Sequence, residues 1–342
     1  MTALQSVRII GGGLAGLSLG IALRKVGVTT EIFEAGDYPR HRVCGEFVTG
    51  LSEATIEKLG IGPAFAMAGC HRSVTWFLHE RAVGRQILPS PGRAVSRFAL
   101  DARLAELFIA GGGKLITHTR LTPPVVRSGW VETGGRKPSG SSPWIGLKLH
   151  ARNLTTTDGL ELHLGDGAYV GLSSVEDGWI NVCGLFRRWP GLRLDRDQAL
   201  STYLRASGLH PLAERLAAAE IRLGSMSAVA GLAFARRITV DDGVRLGDAC
   251  AMIPPFTGNG MAMAFTSAAL ALDPLVAWAR DEQSWDYTER CIREALRREF
   301  RLRLGGAALL HPFFLQRTFQ CCLGAAAHTG LLPVALLYRL LH

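Results

Sequence analysis

Three glycines and one acidic residue near the N-terminus have the spacing needed to hold a nucleotide diphosphate. Gly11, Gly13 and Gly16 follow the apolar run Val7–Ile10, and Glu34 closes the next apolar run. The first glycine allows a tight turn, the second leaves room for a pyrophosphate, and the third lets a helix approach the sheet. That helix begins with a positive dipole end, and Glu34 can accept hydrogen bonds from a ribose. The contacts predicted for this βαβ unit come from Gly11, Gly13, Leu14, Ala15, Gly16, Glu34 and Ala35.

A second set of residues with this kind of chemistry lies in the last third of the chain. Gly247 and Asp248 end a short apolar run, two prolines fix a turn, and Gly258-Asn-Gly260 opens an apolar helix predicted over Met261–Ala279. An aspartate at such a strand end can hold the ribityl hydroxyls of a flavin, and a helix N-terminus stabilises the negative charge of the reduced ring. The two motifs together resemble the para-hydroxybenzoate hydroxylase-like superfamily, which includes class A flavin monooxygenases, flavin halogenases and geranylgeranyl reductases. This resemblance implies FAD as the cofactor, with contacts from Gly247, Asp248, Pro255, Gly258, Asn259, Gly260 and Met261.

Two shorter stretches extend the resemblance. Residues 42–46 lie where geranylgeranyl reductase-like proteins carry a basic residue followed by Cys-Gly-Gly, and residues 97–104 match an Arg-x-x-Leu-Asp-x-x-Leu helix start. Glu46 replaces the second glycine, and its carboxylate can act as an acid or base, or it can shape the loop by bonding backbone amides. Cys44 is either a reactive thiol or a packed one. Cys44 and Glu46 are therefore the catalytic candidates, and the implied cofactor contacts come from Arg42, Val43, Cys44, Gly45 and Arg97.

The middle of the chain resembles the substrate-domain strands of the reductase-like members. These strands are predicted at Trp144–His150, Tyr169–Leu172 and Gly178–Cys183, and Tyr169 and Asn181 are the candidate substrate contacts. The resemblance implies an α/β fold, in which a Rossmann-like FAD-binding domain of the GR2 type is interleaved with a β-sheet substrate domain and followed by a C-terminal helical region.

The alternation of strand and helix patterns predicts two domains with a cleft between them. In the C-terminal region, apolar residues recur at helical spacing over Tyr287–Leu304, and prolines at 312 and 333 are expected to break the apolar stretch that follows. This region is a helical cap, or else a lipophilic substrate entrance or membrane-surface contact. The predicted ranges are 1–68, 92–135 and 222–282 for the FAD-binding domain, 69–91 and 136–221 for the substrate domain, and 283–342 for the helical cap.

Composition narrows the classes of protein. The formal net charge is +9, and no basic run interleaved with aromatic residues indicates nucleic-acid binding. The seven cysteines show no disulfide spacing, the ten histidines show no paired metal-ligand spacing, and Met1–Ser6 carries no signal region. We therefore expect a cytoplasmic protein without a metal, in which His150 and His163 are strand residues.

The family that this sequence resembles includes enzymes that hydroxylate and enzymes that reduce their substrates. We expect hydroxylation of a hydrophobic aromatic or polyketide-like small molecule through a flavin C4a-hydroperoxide. The alternatives are geranylgeranyl reductase-like chemistry on C=C bonds and a non-enzymatic flavin-binding redox module. Residues 131–136 lack the Asp-Gly pair that many class A hydroxylases carry at this point. NADPH or NADH as the direct reductant and a separate electron donor therefore both stay open.

Overall fold

The fold consists of two β-sheets and a set of helices packed around and between them. The computed structural model describes residues 4–122, 127–135, 139–189, 191–192, 195, 197–235, 237–238 and 243–329. The strands are β1 (Val7–Ile10), β2 (Thr30–Phe33), β3 (Phe47–Val48), β4 (Gly69–Leu78), β5 (Arg81–Ala94), β6 (Lys114–Ile116), β7 (Trp130–Glu132), β8 (Trp144–Arg152), β9 (Leu160–Gly165), β10 (Ala168–Ser174), β11 (Ile180–Arg187), β12 (Glu220–Ile221), β13 (Ser227–Ala230) and β14 (Val244–Arg245). The α-helices are α1 (Leu14–Lys25), α2 (Glu53–Leu59), α3 (Arg97–Ala110), α4 (Ala199–Ala206), α5 (His210–Ala217), α6 (Gly260–Ala279), α7 (Trp285–Leu315) and α8 (Arg317–His328).

The first sheet is a parallel, Rossmann-like sheet with the strand order β14-β7-β1-β2-β6. Its central residues Ile9, Ile32 and Val131 are fully buried, because helices cover both faces of a parallel sheet. Helix α1 links β1 to β2 and packs against α3 and α6. This arrangement agrees with the βαβ unit predicted from the N-terminal glycines.

The second sheet is mixed and has the order β12-β8-β11-β10-β9-β4-β5-β3, with β13 also paired to β8. Its side chains alternate between two faces, as the strand period of two requires. One face packs Leu147, Val170 and Val182 against α4 and α5. The opposite face carries Tyr169 and Leu185, which meet the C-terminal end of α7. The second face is the one that adjoins the glycine motifs.

Two short strands inside the ranges predicted for the FAD-binding domain pair with the second sheet. Strand β3, in the range 1–68, pairs with β5, and β13, in the range 222–282, pairs with β8. Two to four residues carry too little periodicity to reveal which sheet they join. The predicted range boundaries stay predictions, and residues 136–138, at the start of the range predicted for the substrate domain, lie outside the described residues.

Helices α3 and α7 each begin after a serine that caps the first turn. The side chain of Ser96 accepts a hydrogen bond from the Ala99 amide and caps α3, and Ser284 caps α7 in the same way through Tyr287. A serine cap fixes the first turn before the apolar stripe begins.

The prediction that Pro312 breaks the C-terminal helical region was wrong. Helix α7 passes through Pro312 and ends at Leu315. Proline removes one backbone hydrogen bond and crowds the preceding turn, and the packing of the neighbouring His311 and Phe314 on Phe256 offsets this cost. The stripe Ile292, Leu296, Phe300 and Leu304 is buried in the core as predicted. The second proline, at position 333, lies outside the described residues.

Helix α6 is the one described helix that is long and apolar enough to cross a membrane, judged by length and composition. More than half of its apolar window is buried inside the protein, where it packs against α1, α2 and α7. Such burial is typical of the central helix of a globular core.

Candidate functional site

The two glycine motifs meet in space although they are far apart in the chain. A Cβ on Gly247 would lie 3.2 Å from the Cβ of Ala15, so the turn after β14 packs on the first turn of α1. A Cβ on Gly258 would lie 3.2 Å from Cδ1 of Phe47, which directly follows the segment 42–46. Three segments that the sequence assigned to one cofactor are therefore neighbours.

The N-terminal glycines are required for different geometric reasons. Gly11 has φ +106°, and a Cβ there would lie 2.6 Å from Cα of Gly134. A Cβ on Gly16 would collide with the carbonyl oxygen of Gly11 and lie 2.6 Å from Oγ1 of Thr133. Gly13 differs, because a Cβ at this position would have no atom within 4 Å. The motif thus combines a tight turn, a close helix approach and open space beside the second glycine.

Open space also borders the other two segments. Gly45 and Gly260, like Gly13, have no atom within 4 Å of the position a Cβ would take. Gly13 precedes the first turn of α1 and Gly260 begins α6, so two of these open positions lie at helix N-termini. Backbone amides at helix N-termini favour anions and the negative edge of a reduced flavin. The residues present therefore fit a flavin dinucleotide.

Glu34 lies buried at the end of β2, beside the first glycine turn. Its carboxylate accepts hydrogen bonds from the amides of Gly12 (2.7 Å) and Gly36 (2.9 Å) and pairs with Nη2 of Arg40 at 2.5 Å. Burial raises the pKa of Glu34, but these amides and the positive charges of Arg40 and Arg42 outweigh burial and hold the pKa below its usual value. Glu34 is therefore ionised at neutral pH.

Tyr38 and Asp101 are site residues that the sequence analysis did not single out. The Tyr38 hydroxyl donates a hydrogen bond to the carbonyl oxygen of Gly12. Asp101 is fully buried and accepts two hydrogen bonds from Arg97, at 2.6 and 2.8 Å, and one from Nε of Arg42 at 3.0 Å. Burial lowers the pKa of Arg97, but the Asp101 carboxylate outweighs burial and raises the pKa above its usual value. The aspartate was visible in the sequence, since it belongs to the helix-start motif that contains Arg97.

The segment Cys44–Glu46 is tied to the second sheet by its backbone. Nδ2 of Asn181 donates to the Cys44 carbonyl (3.0 Å), and Oγ of Ser173 donates to the Gly45 carbonyl (3.1 Å). Asn181 thus contacts the loop implied to lie near the flavin, and its role in substrate binding stays a prediction.

Glu46 lies in a largely buried cluster of titratable side chains, which we call the Glu46 cluster (His41, Glu46, Lys148 and His150). Oε1 of Glu46 lies 3.0 Å from Nζ of Lys148, and Oε2 lies 2.6 Å from Nε2 of His150. Oε1 also accepts a hydrogen bond from the Arg97 amide at 2.9 Å. Glu46, Lys148 and His150 have no exposed side-chain surface, and His41 is partly exposed.

The charges in the Glu46 cluster follow from these contacts. Burial raises the pKa of Glu46, but the hydrogen bond from His150 and the charge of Lys148 outweigh burial and lower it. Burial and the charge of Lys148 lower the pKa of His41 to about 4, so neutral His41 accepts a hydrogen bond from Nζ of Lys148 at 3.2 Å. Glu46 is then an anion to which His150 donates through Nε2. The predicted loop-shaping bond of Glu46 to a backbone amide is present, at Arg97.

Cys44 has the environment of a packed thiol. Burial raises its pKa above the usual value, and its Sγ accepts a hydrogen bond from the Glu46 amide at 3.4 Å. A thiol with a raised pKa holds little thiolate at neutral pH, which disfavours nucleophilic reactivity.

Tyr169 links the second sheet to the second glycine motif. Its hydroxyl accepts a hydrogen bond from the Phe256 amide at 3.2 Å, next to Pro255. The Phe256 ring stacks on Phe314 of α7 with centroids 4.0 Å apart. Two residues along β10, Gly171 has no side chain within 4 Å of the position a Cβ would take. An aromatic wall and a glycine position not covered by any side chain therefore lie near each other on the face that adjoins the glycine motifs.

Comparison with solved structures gives the class of fold. No protein-family model and no functionally curated protein matches the sequence. The flavin-dependent brominase Bmp2 is 18% identical, with a TM-score of 0.77 over 99% of this chain and 93% of its own. HpxO of Klebsiella pneumoniae, determined with FAD and uric acid, is 15% identical, with a TM-score of 0.76 over 98% and 96%. The p-nitrophenol 4-monooxygenase PnpA of Pseudomonas putida DLL-E4 is 11% identical, with a TM-score of 0.77 over 100% and 97%.

The chain therefore has the fold of flavin-dependent monooxygenases and halogenases. The predicted fold class, with a parallel Rossmann-like sheet, a mixed second sheet and C-terminal helices, is confirmed. At these identities the likeness establishes the fold and leaves the chemistry to be argued from the site.

Proposed function

We propose that this protein is an FAD-dependent monooxygenase of the para-hydroxybenzoate hydroxylase-like superfamily that hydroxylates a hydrophobic aromatic or polyketide-like small molecule. The observation that supports the cofactor is that three separate segments come together, Gly247 against Ala15 and Gly258 against Phe47, and that Gly13, Gly45 and Gly260 in these segments each have open space where a Cβ would lie. A glycine in each of these segments is what close approach of a large, flat cofactor to bare backbone requires.

Each part of the cofactor has a residue suited to it. Glu34 would accept from the adenosine ribose, Gly13 would admit the diphosphate, and Asp248 would hold the ribityl hydroxyls. The first turn of α6 would face the pyrimidine edge of the ring. When bound, FAD supplies two-electron transfer and the activation of dioxygen.

The protein's own contribution would be apolar surroundings that keep water away from the reacting atoms. The rings of Tyr169, Phe256 and Phe314 form an apolar wall beside the second glycine motif. Dry, apolar surroundings protect a reactive oxidised intermediate from hydrolysis and favour an apolar substrate. This wall supports hydroxylation of a lipophilic ring.

The source of electrons is part of the proposal. The described residues contain one glycine-rich βαβ unit, formed by β1, α1 and β2, and the proposal assigns it to FAD. NADPH or NADH would then bind transiently next to the flavin, or a separate protein would deliver the electrons. Stopped-flow mixing of the oxidised protein with NADPH under anaerobic conditions distinguishes these cases by whether the flavin absorbance is bleached.

The test is reconstitution with FAD, anaerobic reduction, and mixing with isotopically labelled dioxygen and a lipophilic phenol such as 4-nitrophenol. One labelled oxygen atom in the product supports the monooxygenase. If an alkene oxidises the reduced protein in the absence of dioxygen, the reductase alternative replaces the monooxygenase. If the protein retains FAD and shows neither reaction, a redox module is favoured. Failure to retain FAD would contradict all three.

A further inference from the structure

A single histidine of α7 lies among four aromatic rings next to the proposed flavin site. The ring of His311 lies 5.0 Å from Phe234, 5.6 Å from Trp144, 6.1 Å from Phe256 and 6.3 Å from Tyr169, measured between centroids. The Phe256 ring is within 10° of parallel to the imidazole, and the other three meet it at steep angles. We call these five residues the aromatic cluster.

The imidazole of His311 has an unmet hydrogen-bonding capacity. Its Nε2 is buried and has no hydrogen-bond partner among the described residues. A buried polar atom without a partner costs about 1–3 kcal/mol, so such atoms in folded proteins call for an explanation. The neighbouring hydroxyl of Tyr169 is already engaged by the Phe256 amide. Burial lowers the pKa of His311 to about 4, so the ring is neutral at physiological pH.

The position of the cluster points to a ligand rather than to packing alone. Phe256 belongs to the turn that follows Pro255 in the second glycine motif, and Tyr169 lies two residues from Gly171, whose open side no side chain covers within 4 Å. Pockets for small molecules are mostly apolar and contain a few placed polar groups that fix orientation. His311 is the polar group, and the four rings provide the apolar surface.

We propose that His311 selects the substrate by hydrogen bonding to a hydroxyl or N–H group on an aromatic ring that enters the aromatic cluster. This inference rests on the proposed function and adds the substrate feature and the residue that recognises it. A neutral imidazole nitrogen can accept a hydrogen bond from O–H or N–H, or donate to an oxygen. A site that hydrogen-bonds a substrate group discriminates against analogues that lack the group, because its buried polar atom is then left unpaired.

The test combines variants of His311 with two ligands and measures the affinity of each pair by calorimetry. The FAD-loaded protein is used, and no turnover is needed. The probes are 4-nitrophenol and 4-nitrotoluene, which differ in the hydrogen-bonding group. We expect the wild-type protein to bind 4-nitrophenol about tenfold more tightly than 4-nitrotoluene, as the loss of one buried hydrogen bond predicts. His311→Phe should keep the affinity for 4-nitrotoluene and lose the preference, and His311→Gln should restore part of it.

The matched control is His79→Phe. Nε2 of His79 is also buried without a partner among the described residues, but His79 lies in the hairpin between β4 and β5, and its substitution should leave the preference unchanged. A preference that persists in His311→Phe, equal affinities in the wild type, or no binding of either probe would each overturn the inference. FAD retention, followed by absorbance in the same samples, reports separately on the proposed function.

Discussion

Gly13 and Gly16 show, within one motif, the difference between a residue required by a ligand and a residue required by the fold. We predict that Gly13→Val abolishes FAD binding and leaves the stability of the apoprotein unchanged, since a Cβ at this position meets nothing. Gly16→Val should instead destabilise the apoprotein by about 3 kcal/mol, because its Cβ collides with backbone. Urea unfolding and flavin absorbance measure both effects. Equal loss of stability in the two variants would contradict this assignment.

The contacts in the Glu46 cluster predict that Glu46 and Lys148 contribute to the free energy of unfolding as a coupled pair. Glu46→Gln leaves the Lys148 charge buried without its partner, which should cost about 3–5 kcal/mol at pH 7. The double variant Glu46→Gln/Lys148→Met should recover a large part of that loss, because it removes both charges. Urea unfolding of the wild type, each single variant and the double variant measures the coupling. Additive losses would show that the two side chains act independently.

The same cluster fixes the sign of a pH effect. The folded pKa of Glu46 lies below its ordinary value of 4.5, so its stabilising contribution is complete above pH 4.5 and is lost as the pH falls toward the folded value. The free energy of unfolding should therefore fall more steeply below pH 4.5 in the wild type than in Glu46→Gln. Parallel unfolding curves measured from pH 7 to pH 3 would contradict this direction.

At the scale of elements, the end of α7 is held by aromatic packing rather than by helix propensity. Phe314 is buried and stacks on Phe256, whereas Phe319 of α8 is 38% exposed. Phe314→Ala should lower the free energy of unfolding by about 3 kcal/mol, and the matched variant Phe319→Ala by about 0.5 kcal/mol. Hydrogen exchange should speed up at 305–315 in the first variant alone. Equal effects of both variants would indicate that α7 does not close the aromatic wall.

The length of α7 was only partly predictable from the sequence. Its apolar stripe from Ile292 to Leu304 follows the helical period and marks the buried face. The continuation through Pro312 depends on the contacts of His311 and Phe314 with the second sheet and the turn at Phe256. Such packing is invisible to a local pattern, and it overrides the usual preference of proline for helix ends.

At the scale of the whole molecule, the proposed FAD site joins segments from both ends of the chain. A ligand that binds only the folded state adds about 2.7 kcal/mol at a hundredfold excess over its Kd. FAD should therefore raise the midpoint of a single cooperative thermal transition by a few degrees. FMN, which lacks the adenosine monophosphate half that Glu34 and Gly13 are proposed to bind, should have little effect at the same concentration. An equal shift with FMN would argue against the N-terminal motif as part of the site.

The sequence by itself determined the local motifs, whose geometry depends only on residues close together in the chain. The glycine spacing between Gly11 and Gly16, the acidic end of β2 at Glu34 and the glycine turn before α6 are local geometries, and they predicted the fold class that was confirmed. Such signals survive without tertiary information because tight turns and helix starts constrain residue types at fixed spacing.

Only the tertiary structure decided which distant side chains share an environment. The register of β8 against β11 brings His150 opposite Asn181 on the face where Lys148 and His150 reach Glu46, and the path of α7 brings His311 to Phe256. Both outcomes depend on strand register and helix direction, and a shift of one residue would turn these side chains to the opposite face. No spacing within a single segment encodes that choice.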